Sequence, residues 1–285
     1  MNYQLSPTES VSNAFHRIGA EVVARIRAGM TAADEAGIHD VRRGCKWLRA
    51  TLRLLRSGLD TDATATEVRR IRRLAHMLGG ARDAAVRLIS FRSLGLELDS
   101  LEQRLKKEAD AEHKRQLSSE GRRKAHLAIE ALEKGWMALR LNRRGWRHIG
   151  GGIERSYRRA RKSFRCLGKN PPNEQLHNWR KRAKDLMYHV RLLQQIKPKK
   201  MRRIERQLDD LGDWLGYDHD LIILTAFLRK DRRLTKADRA MLNREVKRRR
   251  KEHLTAARHV AEIVFQDKPE EFTQKLKQWW DRWRG

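Results

Sequence analysis

The sequence predicts an all-α protein, and three observations support this prediction. Apolar residues recur every three or four positions along most of the 285 residues, the spacing of helices with one buried face. Runs that alternate apolar and polar residues between turns, which would indicate β-strands, are absent from the sequence. A stretch of 17 residues also occurs twice in related form. Because 39% of the residues are hydrophobic, helices of this kind can bury a real core.

The first half reads as a series of helices separated by short breaks. The predicted helical segments are 8–29, 39–56, 62 or 66 to 78, a continuation from 83 beyond a glycine pair, and 98–139 with a break near 118–121. Thr8 is the predicted N-cap of the first helix, because a threonine hydroxyl can accept a hydrogen bond from a free backbone N–H of the first turn.

A glycine-rich stretch separates the two halves. Residues 145–152 (GWRHIGGG) interrupt the helical pattern, and we interpret them as a hinge or turn because glycine disfavours helix interiors. Asn173 is the predicted N-cap of the second helix after this stretch, and that helix ends before Pro198. The predicted helical segments of the second half are 153–167, 173–197, 199–229, 236–265 and 269–283.

The charge of the chain predicts a polyanionic partner. Lys and Arg number 65 against 36 Asp and Glu, which gives a formal net charge of +29. DNA, RNA, an anionic membrane surface and inorganic polyphosphate all carry the complementary charge. The sequence has no run of 18 apolar residues, so we expect no membrane-spanning segment. We expect Cys45 and Cys166 to be small core residues, and a reducing, cytoplasmic location without a secretory leader.

Residues 39–56 (HDVRRGCKWLRATLRLLR) combine a buried face with a row of cations. The apolar stripe consists of Val41, Cys45, Leu48, Leu52 and Leu55. One position further round, the first basic edge consists of Arg42, Lys46, Arg49, Arg53 and Arg56. At 1.5 Å of rise per residue this edge is about 21 Å long, and His39 and Arg43 lie at its start. Like charges in a row repel, so we expect an anion to bind there.

The second occurrence of this motif begins at His177. The stretch HNWRKRAKDLMYHVRLL aligns without gaps on HDVRRGCKWLRATLRLL, so His177 matches His39. The second basic edge consists of Arg180, Lys184 and Arg191, with Met187 and Gln194 in place of Arg49 and Arg56. Downstream, LGGARDAAV from Leu78 aligns with LGYDHDLII from Leu215, which pairs Asp83 with Asp220. We therefore predict one domain, 1–285, built from halves 1–148 and 149–285 around a pseudo-two-fold axis.

The pattern H-x-x-R-x-x-x-K followed by L-G-x-x-x-D, present twice, resembles the CHAD family, the conserved-histidine α-helical domain. The resemblance implies two four-helix bundles and a central basic groove or channel that binds inorganic polyphosphate. It further implies no catalytic centre, no cofactor and an association with polyphosphate granules. The chain resembles a stand-alone member because it lacks the E-x-E-x-K strand of a fused triphosphate-tunnel domain. The expected polyphosphate-binding residues are His39, Arg42, Arg43, Lys46, Arg49, Arg53, Arg56, Arg69, Arg72, Arg73, His177, Arg180, Lys181, Lys184, Tyr188, Arg191, Arg202 and Arg206.

Three alternatives stay open at the level of sequence. The histidines of the motif either contact phosphate or orient neighbouring arginines. Asp83 and Asp220 are expected to form structural ion pairs with nearby arginines. The acidic run from Asp209 to Asp220 contains the D-D-x-x-D spacing of magnesium-dependent prenyl synthases, but no second such motif occurs. We therefore expect no metal site and no enzyme. The main alternative function is nucleic-acid binding, and the second is Mg²⁺-dependent phosphate processing by this acidic run.

Overall fold

The chain folds into helices throughout its described part. The computed structural model describes residues 3–32, 34–77, 79–116, 119–142 and 145–285, with side chains except at positions 35, 79–82, 113, 115, 116 and 119. The helices are α1 (Val11–Ala32), α2 (Glu35–Leu54), α3 (Thr61–Met77), α4 (Gly79–Ser93), α5 (Asp99–Gln116), α6 (Ser119–Ala138), α7 (Trp146–Arg165), α8 (Asn173–Leu192), α9 (Pro198–Leu228), α10 (Lys236–Val264) and α11 (Pro269–Arg284). The described residues contain no β-strand, so the prediction of an all-α fold is confirmed. None of these helices is long and apolar enough to cross a membrane.

Polar side chains fix the beginnings of several helices. Asp34 caps α2 by accepting a hydrogen bond from the Gly37 N–H, which satisfies a free donor of the first turn. Helix α1 begins later than predicted, because Ser10, two residues beyond Thr8, accepts a hydrogen bond from the backbone N–H of residue 13 at 3.1 Å. The prediction of Asn173 as a cap is also wrong. Proline occupies the cap position of α8, and the Asn173 side chain accepts a hydrogen bond from Arg250 instead.

The glycines of residues 145–152 lie mostly inside a helix. Gly145 has a positive φ of 67° and precedes α7, but Gly150, Gly151 and Gly152 belong to that helix. A side-chain carbon at Gly152 would lie 2.0 Å from the carbonyl oxygen of Leu54, at the end of α2. The prediction of a hinge is therefore wrong for these three residues, because glycine here lets α7 approach α2 closely.

The main hydrophobic core contains residues from both predicted halves. Trp136 is 1% exposed, stacks on Phe15 at 4.6 Å between ring centroids, and donates a hydrogen bond to the Phe15 carbonyl. Trp179 is fully buried against Phe164 at 5.4 Å. A second, smaller core lies among α4, α5, α9 and α10. The boundary between halves 1–148 and 149–285, and the pseudo-two-fold relation between them, stay predictions.

The two copies of the repeated helix, α2 and α8, contact one another. His189 of α8 lies within hydrogen-bond distance of the Ala50 carbonyl of α2, at 2.8 Å from Nε2. The Tyr3 hydroxyl is 2.9 Å from the Thr51 hydroxyl of α2, which ties the N-terminal segment to the same place. The buried contact of His189 with Ala50 holds α8 beside α2 and brings their charged residues near one another.

The two cysteines differ in exposure. Cys45 is 1% exposed in the apolar stripe of α2, as predicted. Cys166 is exposed, so its prediction as a core residue is wrong. It lies at the end of α7, where the helical stripe no longer faces the core.

Candidate anion-binding site

The first basic edge lies along α2, with α3 beside it. Arg42 donates to the Ala75 carbonyl of α3 at 3.5 Å. Lys46 and Arg56 are exposed, whereas Arg49 is half-buried and its Nε forms no hydrogen bond with a described residue. Burial, followed by repulsion from Arg53, lowers the pKa of Arg49. A partly desolvated guanidinium next to other cations is a strong site for an anion.

The residues at the start of α2 have protein partners of their own. His39 is exposed and is the fifth residue of the helix, so it lies just beyond the first turn. Arg43 forms an ion pair with Asp40 and lies over the ring of Trp47 at 5.5 Å from its centroid. Asp40 also accepts two hydrogen bonds from Arg25, and these bonds are the main reason that the pKa of Asp40 is lowered. Arg43 is therefore held in place by protein contacts on both sides.

The outward arginines of α3 extend this surface. Arg69, Arg72 and Arg73 are all exposed. Arg69 donates to the Thr66 hydroxyl at 2.8 Å, one turn back on the same helix. Arg72 is close enough to Arg49 of α2 to lower the pKa of that residue by repulsion. Arg72 thus extends the positive charge of α2 onto α3.

Acidic residues of α9 partly neutralise the second basic edge. Lys184 forms ion pairs with Asp209 at 2.8 Å and with Asp213 at 2.9 Å. Arg191 is paired in the same way with Glu205. Tyr188 is only 7% exposed, and burial raises its pKa to about 12. Its ring lies in the core instead of on the anion surface where it was expected.

Glycines of α9 make room for the cations of α8. A side-chain carbon at Gly212 would lie 2.2 Å from the Lys184 Cε, and one at Gly216 would lie 3.2 Å from Arg180. Gly216 belongs to the second L-G-x-x-x-D motif, so this motif positions Arg180 by leaving space for its side chain. The first copy of that motif begins at Leu78, which lies outside the described residues.

The two motif histidines have different surroundings. His177, like His39, is the fifth residue of its helix, and its ring stacks on His219 of α9 at 4.5 Å between centroids. Burial lowers the pKa of His177 to about 4, with further contributions from His219, Lys181 and Arg180. His177 is therefore neutral near pH 7. Lys181, Arg202 and Arg206 are exposed on the surfaces of α8 and α9.

A pocket of about 40 Å³ lies where α2, α7 and α8 meet. We call it the arginine pocket. Its lining residues are Arg53, Arg56, Gly152, Arg155, Ser156, Arg159, Arg182 and Asp185. Asp185 forms an ion pair with Arg53, so the two repeated helices are joined by opposite charges inside the pocket. Burial raises the pKa of Asp185, although Arg53, Arg49 and Arg182 act in the opposite direction.

Three arginines of this pocket were missed in the sequence. Arg155 and Arg159 come from α7, and Arg182 lies on a side of α8 outside the second basic edge. Burial, followed by repulsion from Arg56 and Arg159, lowers the pKa of Arg155, and its Nη2 forms no hydrogen bond with a described residue. The spacing of four between Arg155 and Arg159 places them on one helix face, and this signal was available in the predicted helical segment 153–167.

The aspartates of the two L-G-x-x-x-D motifs lie in different environments. Asp83 is exposed, and its expected ion pair with an arginine stays a prediction. Asp220 is half-buried and lines a second cavity of about 350 Å³ together with Trp214, Tyr217 and His253.

The buried carboxylate of this region belongs to Asp218 instead. Asp218 is 2% exposed and is paired with Arg250 of α10 at 2.7 Å. No group of three or more histidine, cysteine or acidic side chains in the described residues is placed to hold a metal ion.

Comparison with known proteins identifies the family of the chain. The family model of the CHAD domain matches residues 13–229. A crystal structure of the CHAD domain from the plant Ricinus communis superposes with a TM-score of 0.64 at 19% identity, covering 93% of this chain and 95% of the other. PptA from Streptomyces chartreusis has a TM-score of 0.56 at 15% identity, covering 87% of this chain and 99% of the other. No curated protein matches the chain. The family model spans most of the sequence and the helical fold agrees with it, so the chain belongs to the CHAD domain family.

Proposed function

We propose that this protein binds inorganic polyphosphate at the arginine pocket and along the two basic edges that lead to it. The observation that carries the proposal is the convergence of five arginines from α2, the turn after it, α7 and α8 on one small cavity. Guanidinium groups suit this role because their planar N–H donors match pairs of phosphate oxygens. The formal charge of +29 supplies the long-range attraction that brings a polyanion to the surface.

The distribution of aromatic residues favours polyphosphate over nucleic acid. Proteins that bind single strands stack bases on exposed aromatic rings next to basic residues. Among the described aromatic residues, Tyr217 is the large side chain with the highest exposure, 53%, and it lines the second cavity rather than the arginine pocket. The arginine pocket itself has no aromatic residue in its lining. A ligand with phosphates and no bases fits this surface better.

We propose binding without turnover and an association with polyphosphate granules. Two of the three aspartates at the D-D-x-x-D spacing, Asp209 and Asp213, form ion pairs with Lys184. Carboxylates that already neutralise a lysine are poor ligands for a catalytic metal ion. Incubation of long-chain polyphosphate with the protein and Mg²⁺ should leave the chain length unchanged. Shortening of the chain that is abolished in Asp213→Asn would establish an enzyme instead.

The experiment that tests the proposal is a competition titration. Long-chain polyphosphate, single-stranded RNA and duplex DNA are compared at equal phosphate concentration and physiological salt. We expect polyphosphate to bind most tightly and its affinity to fall steeply as salt rises. Arg155→Gln should weaken polyphosphate binding about tenfold or more, because a charge-assisted contact is lost. Arg123→Gln, an exposed arginine of α6 paired with Glu120, makes the same change of charge outside the pocket and serves as the control.

Two outcomes would overturn the proposal. Equal affinity for the three polymers would leave only general binding of polyanions. Equal losses in Arg155→Gln and Arg123→Gln would show that net charge, rather than the pocket, determines affinity.

A further inference from the structure

The arginine pocket contains one group that opposes its charge. Asp185 is 16% exposed and lies among Arg53, Arg49 and Arg182, all of which act on it electrostatically. The matching position in the first half of the sequence is Trp47, so this carboxylate is specific to α8. A carboxylate inside an anion site lowers its affinity for most anions, and the position of Asp185 therefore needs a physical reason.

The hydrogen bonds of Asp185 leave one of its oxygens available. Oδ1 accepts from the Arg53 guanidinium, whereas Oδ2 accepts no hydrogen bond from a described residue. The remaining polar groups of the lining are arginine donors and the hydroxyl of Ser156. The pocket thus offers a ligand many donors and one carboxylate acceptor.

A carboxylate acceptor of this kind distinguishes protonated oxyanions from fully ionised ones. A carboxylate and a fully ionised phosphate or sulfate repel one another, but they attract when one proton lies between their oxygens. Internal phosphates of a polyphosphate chain are fully ionised near neutral pH. The terminal phosphate carries a second proton that dissociates with a pKa near 6, like that of a phosphate monoester. Burial raises the pKa of Asp185, which helps the pair to hold this shared proton.

The size of the pocket agrees with a single phosphate group. A volume of about 40 Å³ holds roughly three water-sized groups, since about 10–15 Å³ is needed for each. A phosphate group can place its free oxygens there while the rest of the chain follows the basic edges outside.

We propose that the arginine pocket binds the protonated terminal phosphate of a polyphosphate chain, with Asp185 as the acceptor that distinguishes it from fully ionised oxyanions. This inference rests on the proposed binding of polyphosphate and specifies which part of the polymer occupies the pocket. Asp185 is accordingly a specificity-determining residue rather than a simple ion-pair partner of Arg53.

The test compares a linear with a cyclic ligand at pH 6. Linear tripolyphosphate has two terminal phosphates, whereas trimetaphosphate has none. We expect the wild type to prefer the linear form by about tenfold, the effect of one charge-assisted hydrogen bond, and Asp185→Asn to reduce this preference to less than about threefold. Asp209→Asn removes a carboxylate beside Lys184, outside the pocket, and should raise the affinity for both ligands without lowering the preference for the linear form.

Simple electrostatics predicts the opposite change. Tripolyphosphate carries more charge than trimetaphosphate, so removal of a negative charge from the pocket should increase the preference for the linear form. If the ratio of the affinity for tripolyphosphate to that for trimetaphosphate rises or stays constant in Asp185→Asn, the inference is overturned. If this variant does not fold, the wild type provides the same test. Its preference for the linear form should fall between pH 6 and pH 8, and a preference that grows over this range would refute the shared proton.

The inference and the proposed function fail in distinguishable ways. Absence of binding to long-chain polyphosphate by the wild type would overturn the proposed function. Tight binding of long-chain polyphosphate without any preference between linear and cyclic triphosphate would overturn the role of Asp185 alone.

Discussion

His189 provides a quantitative test of how α2 and α8 are joined. Its imidazole is fully buried, Nε2 lies 2.8 Å from the Ala50 carbonyl oxygen, and Nδ1 has no hydrogen-bond partner among the described residues. The nitrogen that faces a carbonyl must carry the proton, so the ring is the neutral Nε2–H tautomer. Burial lowers the pKa of His189 to about 4, and the nearby charges of Arg53 and Arg155 act in the same direction.

The expected effect on stability follows from this shift. The pKa of a histidine in the unfolded chain is 6.5, so the folded state resists protonation over a window of about 2.5 units. Each unit corresponds to 1.36 kcal/mol, which gives about 3 kcal/mol for His189. Because the folded pKa is depressed, the unfolded chain binds more protons in this window. The full stability is therefore present above pH 6.5 and is lost as the pH falls towards 4.

Denaturant unfolding of the wild type and of His189→Gln between pH 4 and pH 7.5 measures this effect. Glutamine can donate to the Ala50 carbonyl but does not titrate, and other titrating groups cancel in the difference between the two proteins. We expect the wild type to lose about 3 kcal/mol relative to the variant between pH 7 and pH 4. His259→Gln, at an exposed position of α10, is the matched control. A difference for His189→Gln that does not depend on pH would refute the burial of this ring.

Two further predictions concern α7 and the cysteines. Gly152→Ala should destabilise the protein by about 2 kcal/mol or more because of the contact with Leu54, whereas Gly151→Ala should be neutral or stabilising by up to about 1 kcal/mol. Thermal denaturation measures both, and equal effects would contradict the close approach of α7 to α2. Cys166 should react with a thiol reagent in the native protein, and Cys45 should react only after denaturation, because burial raises its pKa to about 12. Two reactive thiols before denaturation would contradict the burial of Cys45.

The repeated helices were predictable because their signal is local. Val41, Cys45 and Leu48 are 0–1% exposed, as their spacing in the sequence indicates. The same holds for Trp179 and Ala183 in the second copy, both 0% exposed. A stripe on one helix depends only on the period of the helix, so it can be recognised in the sequence without a structure.

The contribution of α7 to the site was not predictable in the same way. Glycine lowers helix propensity by about 1 kcal/mol per residue, so a run of three indicates a break. In the structure the close approach of Gly152 to the Leu54 carbonyl explains why glycine occupies this position, and α7 continues through it. The local signal and the tertiary requirement therefore conflict at the start of α7. Arg155 and Arg159 lie within the predicted segment 153–167, and they were missed because only the packing of α7 against α2 and α8 brings them to the pocket.

The partners in the ion pairs also could not be predicted from a single sequence. Lys184 meets Asp209 and Asp213, which are 25 and 29 residues away, on the neighbouring helix. Asp218 rather than Asp220 is the buried carboxylate, because two positions on a helix change the direction of a side chain by about 200°. The packing of α8, α9 and α10 against one another determines which residues form these ion pairs.

These pairings determine where the positive charge of the two edges is available. On the second edge, Lys184 and Arg191 are neutralised by α9, and Met187 and Gln194 replace two arginines of the first edge. On the first edge, Arg49 and Arg56 form no ion pair with a described residue.

We therefore propose that the two edges contribute unequally to anion binding. The second edge stabilises the contact of α8 with α9, and the first edge meets the arginines of α7 at the arginine pocket. Substitution of Arg56 should consequently affect anion binding more strongly than substitution of Arg191, since an anion at Arg191 competes with Glu205, whereas Arg56 forms no ion pair with a described residue.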